Sequence, residues 1–177
     1  MFKYLLLAAV CAYARVNACE TVSHIDNFKY EQFKGTWFEQ QYYNSDNEGS
    51  AKCVSGTFFT NTQNNKNRVL FTNQFDKSTS LHRSIGSVNA TEGGFIISFP
   101  NGQVDTYSVV NTDYKSFSVL SKCDTSSKSV SIYLMTRGRN LASYSNKYKI
   151  FVRFNETLDS IGLHRCQFQD AICHNYY

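Results

Sequence analysis

The side chains with reactive potential are cysteines and histidines, and neither set is arranged for catalysis. Six cysteines, at positions 11, 19, 53, 123, 166 and 173, and four histidines, His24, His82, His164 and His174, are spread along 177 residues. No cluster among them has the close spacing that gathers ligands on a zinc ion. Nor does any Ser, His and carboxylate set stand in a context that supports nucleophilic attack. Neither a catalytic group nor a metal site is therefore expected, and the sequence reads as non-enzymatic. The chemistry left to widely spaced cysteines is disulfide formation, which requires an oxidising compartment.

The N-terminus supplies that compartment. Lys3 precedes an apolar run, Leu5 to Ala12, that is too short to span a bilayer, and Val16-Asn17-Ala18 offers a small-residue cleavage site. The expectation is a signal peptide over 1–18 and a secreted, extracellular domain over 19–177, with Ala14 as an alternative cut. No later segment is apolar enough for membrane insertion. Five cysteines remain after Ala18, an odd number, so one is left over from simple pairing.

Removal of Lys3 and Arg15 leaves 16 basic against 14 acidic side chains, interspersed along the chain. That balance gives no electrostatic footprint for nucleic acid or an anionic membrane. Aromatic residues make up 15% of the chain and there is a single Pro, a composition that favours strands and apolar pockets.

The elements that must position these side chains are short β-like runs separated by polar turns. Strands are expected near 35–43, 53–61, 67–76, 80–89, 93–99, 103–112, 115–123 and 129–137. The breaks at Asn64-Asn65-Lys66-Asn67, Glu92-Gly93-Gly94, Pro100-Asn101-Gly102 and Asp124-Thr125-Ser126-Ser127 carry turn chemistry. Beyond Arg137, Tyr148, Phe151, Val152, Asn155 and Leu158 recur at helical spacing, and a final strand is expected near 161–168. With no repeat and no linker, the mature chain reads as one all-β domain with a late helix.

Three motifs carry a family resemblance. Ile25 to Phe28 and Phe33-Lys34-Gly35-Thr36-Trp37-Phe38-Glu39 run to Lys52-Cys53. Val109-Val110-Asn111-Thr112-Asp113-Tyr114 follows, then Leu134-Met135-Thr136-Arg137. In this order the chain resembles the lipocalins, with greatest similarity to insect bilin-binding proteins (insecticyanins) and the apolipoprotein D group. The resemblance implies an eight-stranded antiparallel up-and-down calyx barrel with one C-terminal helix. It makes Gly35, Trp37, Thr112, Asp113 and Arg137 structural, with the Arg137 guanidinium stacked on Trp37 at the closed end.

The resemblance also implies disulfides Cys19–Cys123 and Cys53–Cys173, which leaves Cys166 unpaired. Three alternatives stay open: an inert buried thiol, Cys166 in place of Cys173 as the partner of Cys53, and an intermolecular bond that would make a homo-oligomer. The family register, with strand alternation, places Glu39, Phe71, Asn73, Phe75, Arg83, Ile85, Tyr107, Val109, Leu120, Tyr133 and Met135 on the ligand cavity. Ser118 and Ser131 share that register, whereas Phe117 and Val119 face outward toward the late helix.

This aromatic cavity with a few polar handles suits a small hydrophobic ligand, and by resemblance a biliverdin-type linear tetrapyrrole in a pigment carrier. Glu39, Asn73, Tyr107 and Tyr133 would meet pyrrole and lactam groups, and Arg83 a propionate. Alternatives are a carrier of retinoid, sterol, fatty acid or odorant ligands, and a salivary-type inhibitor or haem-binding lipocalin in which His82 ligates iron. Two sequons, Asn89-Ala90-Thr91 and Asn155-Glu156-Thr157, predict glycosylation at Asn89, placed at a turn, and at Asn155 on the late helix unless its face is buried.

Overall fold

The structure is a computed structural model that describes residues 22–44, 52–74, 80–124, 126–141 and 144–171. The expected leader, Cys19, Phe75 and Cys173 lie outside the described residues. A one-turn helix, α1 (Tyr30–Phe33), leads into eight strands. They are β1 (Gly35–Asn44), β2 (Lys52–Asn61), β3 (Lys66–Gln74), β4 (Leu81–Thr91), β5 (Gly94–Ser98), β6 (Val104–Thr112), β7 (Phe117–Asp124) and β8 (Ser129–Thr136).

Each strand pairs antiparallel with the next, and β1 closes the circle by pairing with both β2 and β8. The closed sheet is an eight-stranded calyx barrel. β1 achieves this double role by bending. Its first part, Gly35 to Phe38, lies against β2, and the rest lies against β8, with a register shift between Glu39 and Gln41. A bulge of this kind bends a strand and sharpens its twist, as barrel closure requires. The turns follow the polar breaks. Asn65 has a φ of 53° and Gly102 one of 88°, and Asp124 accepts hydrogen bonds from the backbone N–H groups of Ser126 and Ser127.

Alternation along the strands builds two separate cores. On β8, Val130, Ile132 and Leu134 belong to an outer cluster, and Met135 and Tyr133 to the barrel interior. On β7, Phe117 and Val119 face outward and Leu120 inward, the arrangement expected from the sequence. The outer cluster exists because helix α2 (Lys147–Ser160) covers it with Ile150, Phe154 and Leu158. Each such side chain contributes about 1.5–3 kcal/mol when removed from water. Asn111 on β6 adds a polar tie by donating to the Thr157 hydroxyl over 2.8 Å.

Three expectations are corrected. Of the residues expected at helical spacing, Leu158 is buried and Phe151 packs against the outer cluster, but Tyr148 and Val152 are 80% and 44% exposed, and the buried stripe runs through 150, 154 and 158. The final strand over 161–168 is replaced by a 3-10 turn, Arg165–Gln167, and a two-residue strand, β9 (Gln169–Asp170), that pairs with Gln41 and Tyr42 of β1. Ala171 adds a backbone bond to the Gln40 carbonyl, so the chain's late segment is stitched onto the barrel wall by β1. Finally, Cys166 is not unpaired, since Cys53, Cys123 and Cys166 are each disulfide-bonded.

Candidate functional site

The closed end of the barrel is built from aromatic residues supplied by α1 and β1. Phe33 and Trp37 are fully buried and stack with centroids 4.9 Å apart. The Trp37 indole N–H donates to the Phe33 carbonyl at 2.8 Å, so its one polar atom is satisfied. Beneath the ring lies Arg137, its guanidinium carbon 3.7 Å from the centroid. The fork of the same guanidinium donates to the carbonyls of Gln32, Phe33, Thr36 and Tyr114. Arg137 thereby ties α1, β1 and the β6–β7 turn together, a task that a lysine point charge cannot perform. Gly35 is required here for two reasons: its φ is 101°, and a Cβ would stand 2.9 Å from the Arg137 Nη1.

The β6–β7 turn carries the other motif residues. Thr112 donates its hydroxyl to the Phe117 carbonyl and accepts from the Tyr114 N–H. Asp113 accepts from the backbone N–H groups of Lys115, Ser116 and Phe117 and from the Ser116 hydroxyl. Burial acts against the Asp113 carboxylate, but these bonds outweigh it and hold its pKa below the ordinary value.

Above this floor the walls continue as ring against ring. Phe58 meets Phe95 at 5.1 Å, Phe95 stacks on Tyr107 at 5.4 Å, and Tyr107 meets Tyr133 at 6.3 Å. Val109, Leu120 and Met135 fill the gaps as buried members of the same cluster, and Phe71 packs at its border.

Polar groups enter this apolar lining at one level. Glu39 of β1 registers with Met135 of β8 and so faces inward. It is 6% exposed, and its Oε1 has no hydrogen-bond partner. Such an orphaned atom costs about 1–3 kcal/mol or more. Desolvation accordingly pushes its pKa up to about 8. Desolvation also raises Tyr107 well above the ordinary phenol value, with lesser contributions from Tyr133, Asp105 and Glu39. Burial lifts Tyr133 to about 12, against a hydrogen bond from Ser131 that lowers it and with Glu39 and Asp105 adding to the rise. The nearby cation is Lys122, held 2.9 Å from Asp105 Oδ1 and 6.0 Å from the Tyr107 centroid. Gln103 donates to the same carboxylate.

Of the expected cavity residues, the structure gathers Glu39, Phe71, Tyr107, Val109, Leu120, Tyr133 and Met135, and places Asn73 on the register of Phe71. Arg83 and Ile85 are a correction. They pair with Thr72 and Leu70, whereas Ser84 pairs with the inward Phe71 and His82 with Asn73. Buried Gly86 and Val88 continue the inward set, so Arg83 and Ile85 face solvent. The expected register on β4 is thus off by one residue, which moves every side chain to the other face. Asp105 and Lys122 are inward residues absent from the expected cavity set. Both were accessible by counting alternation, Asp105 two residues before Tyr107 and Lys122 two after Leu120. His82 faces inward but is exposed, and among the described residues no group of three or more His, Cys, Asp or Glu could hold a metal ion.

Asn89 is exposed on β4 rather than at a turn, and Asn155 is exposed on α2. The partners implied for Cys53 and Cys123, Cys173 and Cys19, lie outside the described residues, and the bond at Cys166 fits the alternative in which Cys166 takes the place of Cys173.

No protein-family model matches the chain, and no curated protein matches it. Solved structures do. The cockroach major allergen Per a 4 aligns at 19% identity over 87% of this chain and 94% of its own, with a TM-score of 0.68. Insecticyanin from the tobacco hornworm Manduca sexta aligns at 17% identity over 87% and 85%, also at 0.68. The chain has a lipocalin fold. A third lipocalin-fold structure, the tryptamine complex of the amine-binding protein of Rhodnius prolixus, aligns at 18% identity over 87% and 86%, again at 0.68. Lobster apocrustacyanin A1 shares the fold at a TM-score of 0.62.

Proposed function

We propose that this protein is a secreted, non-enzymatic carrier that encloses one small hydrophobic ligand in its calyx. The observation that carries the reading is the barrel interior itself. Aromatic walls rise from a closed floor to a level where Glu39, with an unpartnered oxygen, stands with Tyr107 and Tyr133 on the inner face of the barrel. Sites that hold small molecules combine an apolar lining with a few placed polar groups in this way. Binding is encapsulation: the ligand leaves water, and the polar groups fix its orientation.

For the ligand, the reading that follows from the resemblance is a biliverdin-type linear tetrapyrrole. Glu39, Asn73, Tyr107 and Tyr133 support it as acceptors and partners for pyrrole and lactam groups. The outward turn of Arg83 removes one cation proposed for a propionate, leaving Lys122 or a residue at the mouth for that role. A second reading, an organic amine, draws support from the carboxyl of Glu39 in an aromatic enclosure. The fold likeness to an amine-binding protein fits it as well.

A titration followed by absorption and protein fluorescence tests both, using the recombinant chain with biliverdin, tryptamine, retinol and a long-chain fatty acid. Saturable one-to-one binding with a shifted red band supports the pigment carrier. Binding of another ligand without biliverdin overturns the tetrapyrrole and keeps the carrier. No binding of any of the four overturns encapsulation as the function.

A further inference from the structure

Glu39 is a costly residue for a barrel wall to keep. A glutamine or methionine of similar length would fill the same volume without a buried carboxyl. The positions around it do not supply its missing bond. Met135 beside it is apolar, Lys122 is committed to Asp105 at 2.9 Å, and the groups that sense its charge, Tyr107 on β6 and Tyr133 on β8, are phenols. Ser131 engages Tyr133. His82, inward on β4, is exposed. The inner surface at this level therefore holds Glu39 and Asp105, two weakly acidic phenols and one cation already paired. It offers acceptors and π-faces, and its need is for a donor.

We infer that Glu39 is the specificity-determining anchor of the calyx, and that the ligand it selects brings an N–H group to its free oxygen between the rings of Tyr107 and Tyr133. Two sources of that chemistry fit the aromatic walls, the ammonium of an aryl-alkyl amine and the pyrrolic N–H groups of a conjugated tetrapyrrole. The inference rests on the carrier reading above and deepens it. An ammonium gains an ion pair with the ionised Glu39 and cation–π contact with the two phenol rings; a pyrrolic N–H, itself neutral, donates a hydrogen bond to the carboxyl oxygen without requiring its ionisation. An apolar ligand of the same size gains neither and leaves the carboxyl orphaned.

The two sources differ in proton traffic. An ammonium binds the carboxylate, so filling the calyx of a chain in which Glu39 is protonated releases one proton. Affinity for an amine then rises with pH up to about 8, by at most tenfold per pH unit, where Glu39 completes its ionisation. The phenols stay neutral over this range, since both are raised further.

The test is calorimetric titration of the full chain and of Glu39→Gln with tryptamine, biliverdin and retinol, in two buffers of different ionisation enthalpy at pH 6 and pH 8. The expected result is at least a tenfold loss of affinity in Glu39→Gln for tryptamine or biliverdin, with retinol unchanged. Proton release confined to the unsubstituted chain assigns the ammonium; a Glu39-dependent loss without proton release assigns the pyrrolic donor. Should Glu39→Gln not fold, the pH profile of the unsubstituted chain decides. Tryptamine binding that strengthens from pH 6 to 8 beside flat retinol binding supports the anchor, and parallel profiles overturn it. Equal affinity of both chains for every ligand that binds also overturns it while leaving the carrier standing. Absence of binding by all three ligands removes the anchor together with the carrier.

Discussion

At the scale of single residues, the molecule contrasts two ways of burying charge. Arg137 is half-buried, and it meets an aromatic face and four carbonyls. Replacing it by lysine keeps the charge but loses the planar fork, so we expect a loss of about 2–4 kcal/mol in urea unfolding. Glu39 is the opposite case, with an oxygen unmatched. Its folded pKa, near 8, exceeds the unfolded value, so the native state holds the extra proton between about pH 4.5 and 8. The stability that this proton confers is complete below that window and falls as pH rises through it, by up to about 1.4 kcal/mol per unit. Unfolding free energies measured from pH 5 to 9 should show this decline in the unsubstituted chain and a flatter profile in Glu39→Gln. A decline of equal slope in both chains would remove Glu39 as its source.

At the scale of elements, helix α2 shows why a barrel needs an external cover. β7 and β8 carry apolar residues on both faces, and without the helix the outer row would be exposed. Phe154→Ala should cost about 3–5 kcal/mol by leaving a cavity, whereas Val152→Ala on the exposed face should stay within about 0.5 kcal/mol. Chemical denaturation of the two variants separates them. The contrast also marks what was legible in the sequence. The existence of the helix followed from periodicity, but Tyr148 and Val152 lie on its exposed side while Leu158 is buried, because a helical period fixes spacing and leaves the buried phase open. The eight strands were readable since their breaks carry turn residues with local chemistry. The β4 register was not, because Leu81, Arg83 and Ile85 on the outer face are as bulky as anything facing inward, and only pairing with β3 sets the phase. Helix α1 escaped because one turn has no period to detect. Its signal was aromatic density, Phe28, Tyr30 and Phe33, just ahead of Gly35.

At the scale of the whole molecule, the closed end of the calyx is filled by its own side chains, Phe33, Trp37, Phe58 and Phe95 among them, which leaves the other end of the interior to the ligand proposed above. Such a ligand binds only the folded barrel and must raise its stability by mass action. At a free concentration of one hundred times Kd the gain is about 2.7 kcal/mol. Thermal unfolding followed by circular dichroism should show a midpoint that climbs with ligand concentration. A midpoint indifferent to a ligand that demonstrably binds would place that ligand on the surface.

The hydrogen bond between Asn111 and Thr157 bears on when the sequon around it can be read. Thr157 closes the sequon Asn155-Glu156-Thr157, and its hydroxyl is buried, accepting from Asn111 and donating to the Arg153 carbonyl. An enzyme that recognises Asn-x-Thr through that hydroxyl can read this sequon only before α2 docks on the barrel. Thr91 of the Asn89 sequon remains exposed, and its sequon stays readable afterwards. In a secretory compartment the two sites would therefore keep different time: sugar at Asn155 would record how long the last helix waited to settle, and sugar at Asn89 would not.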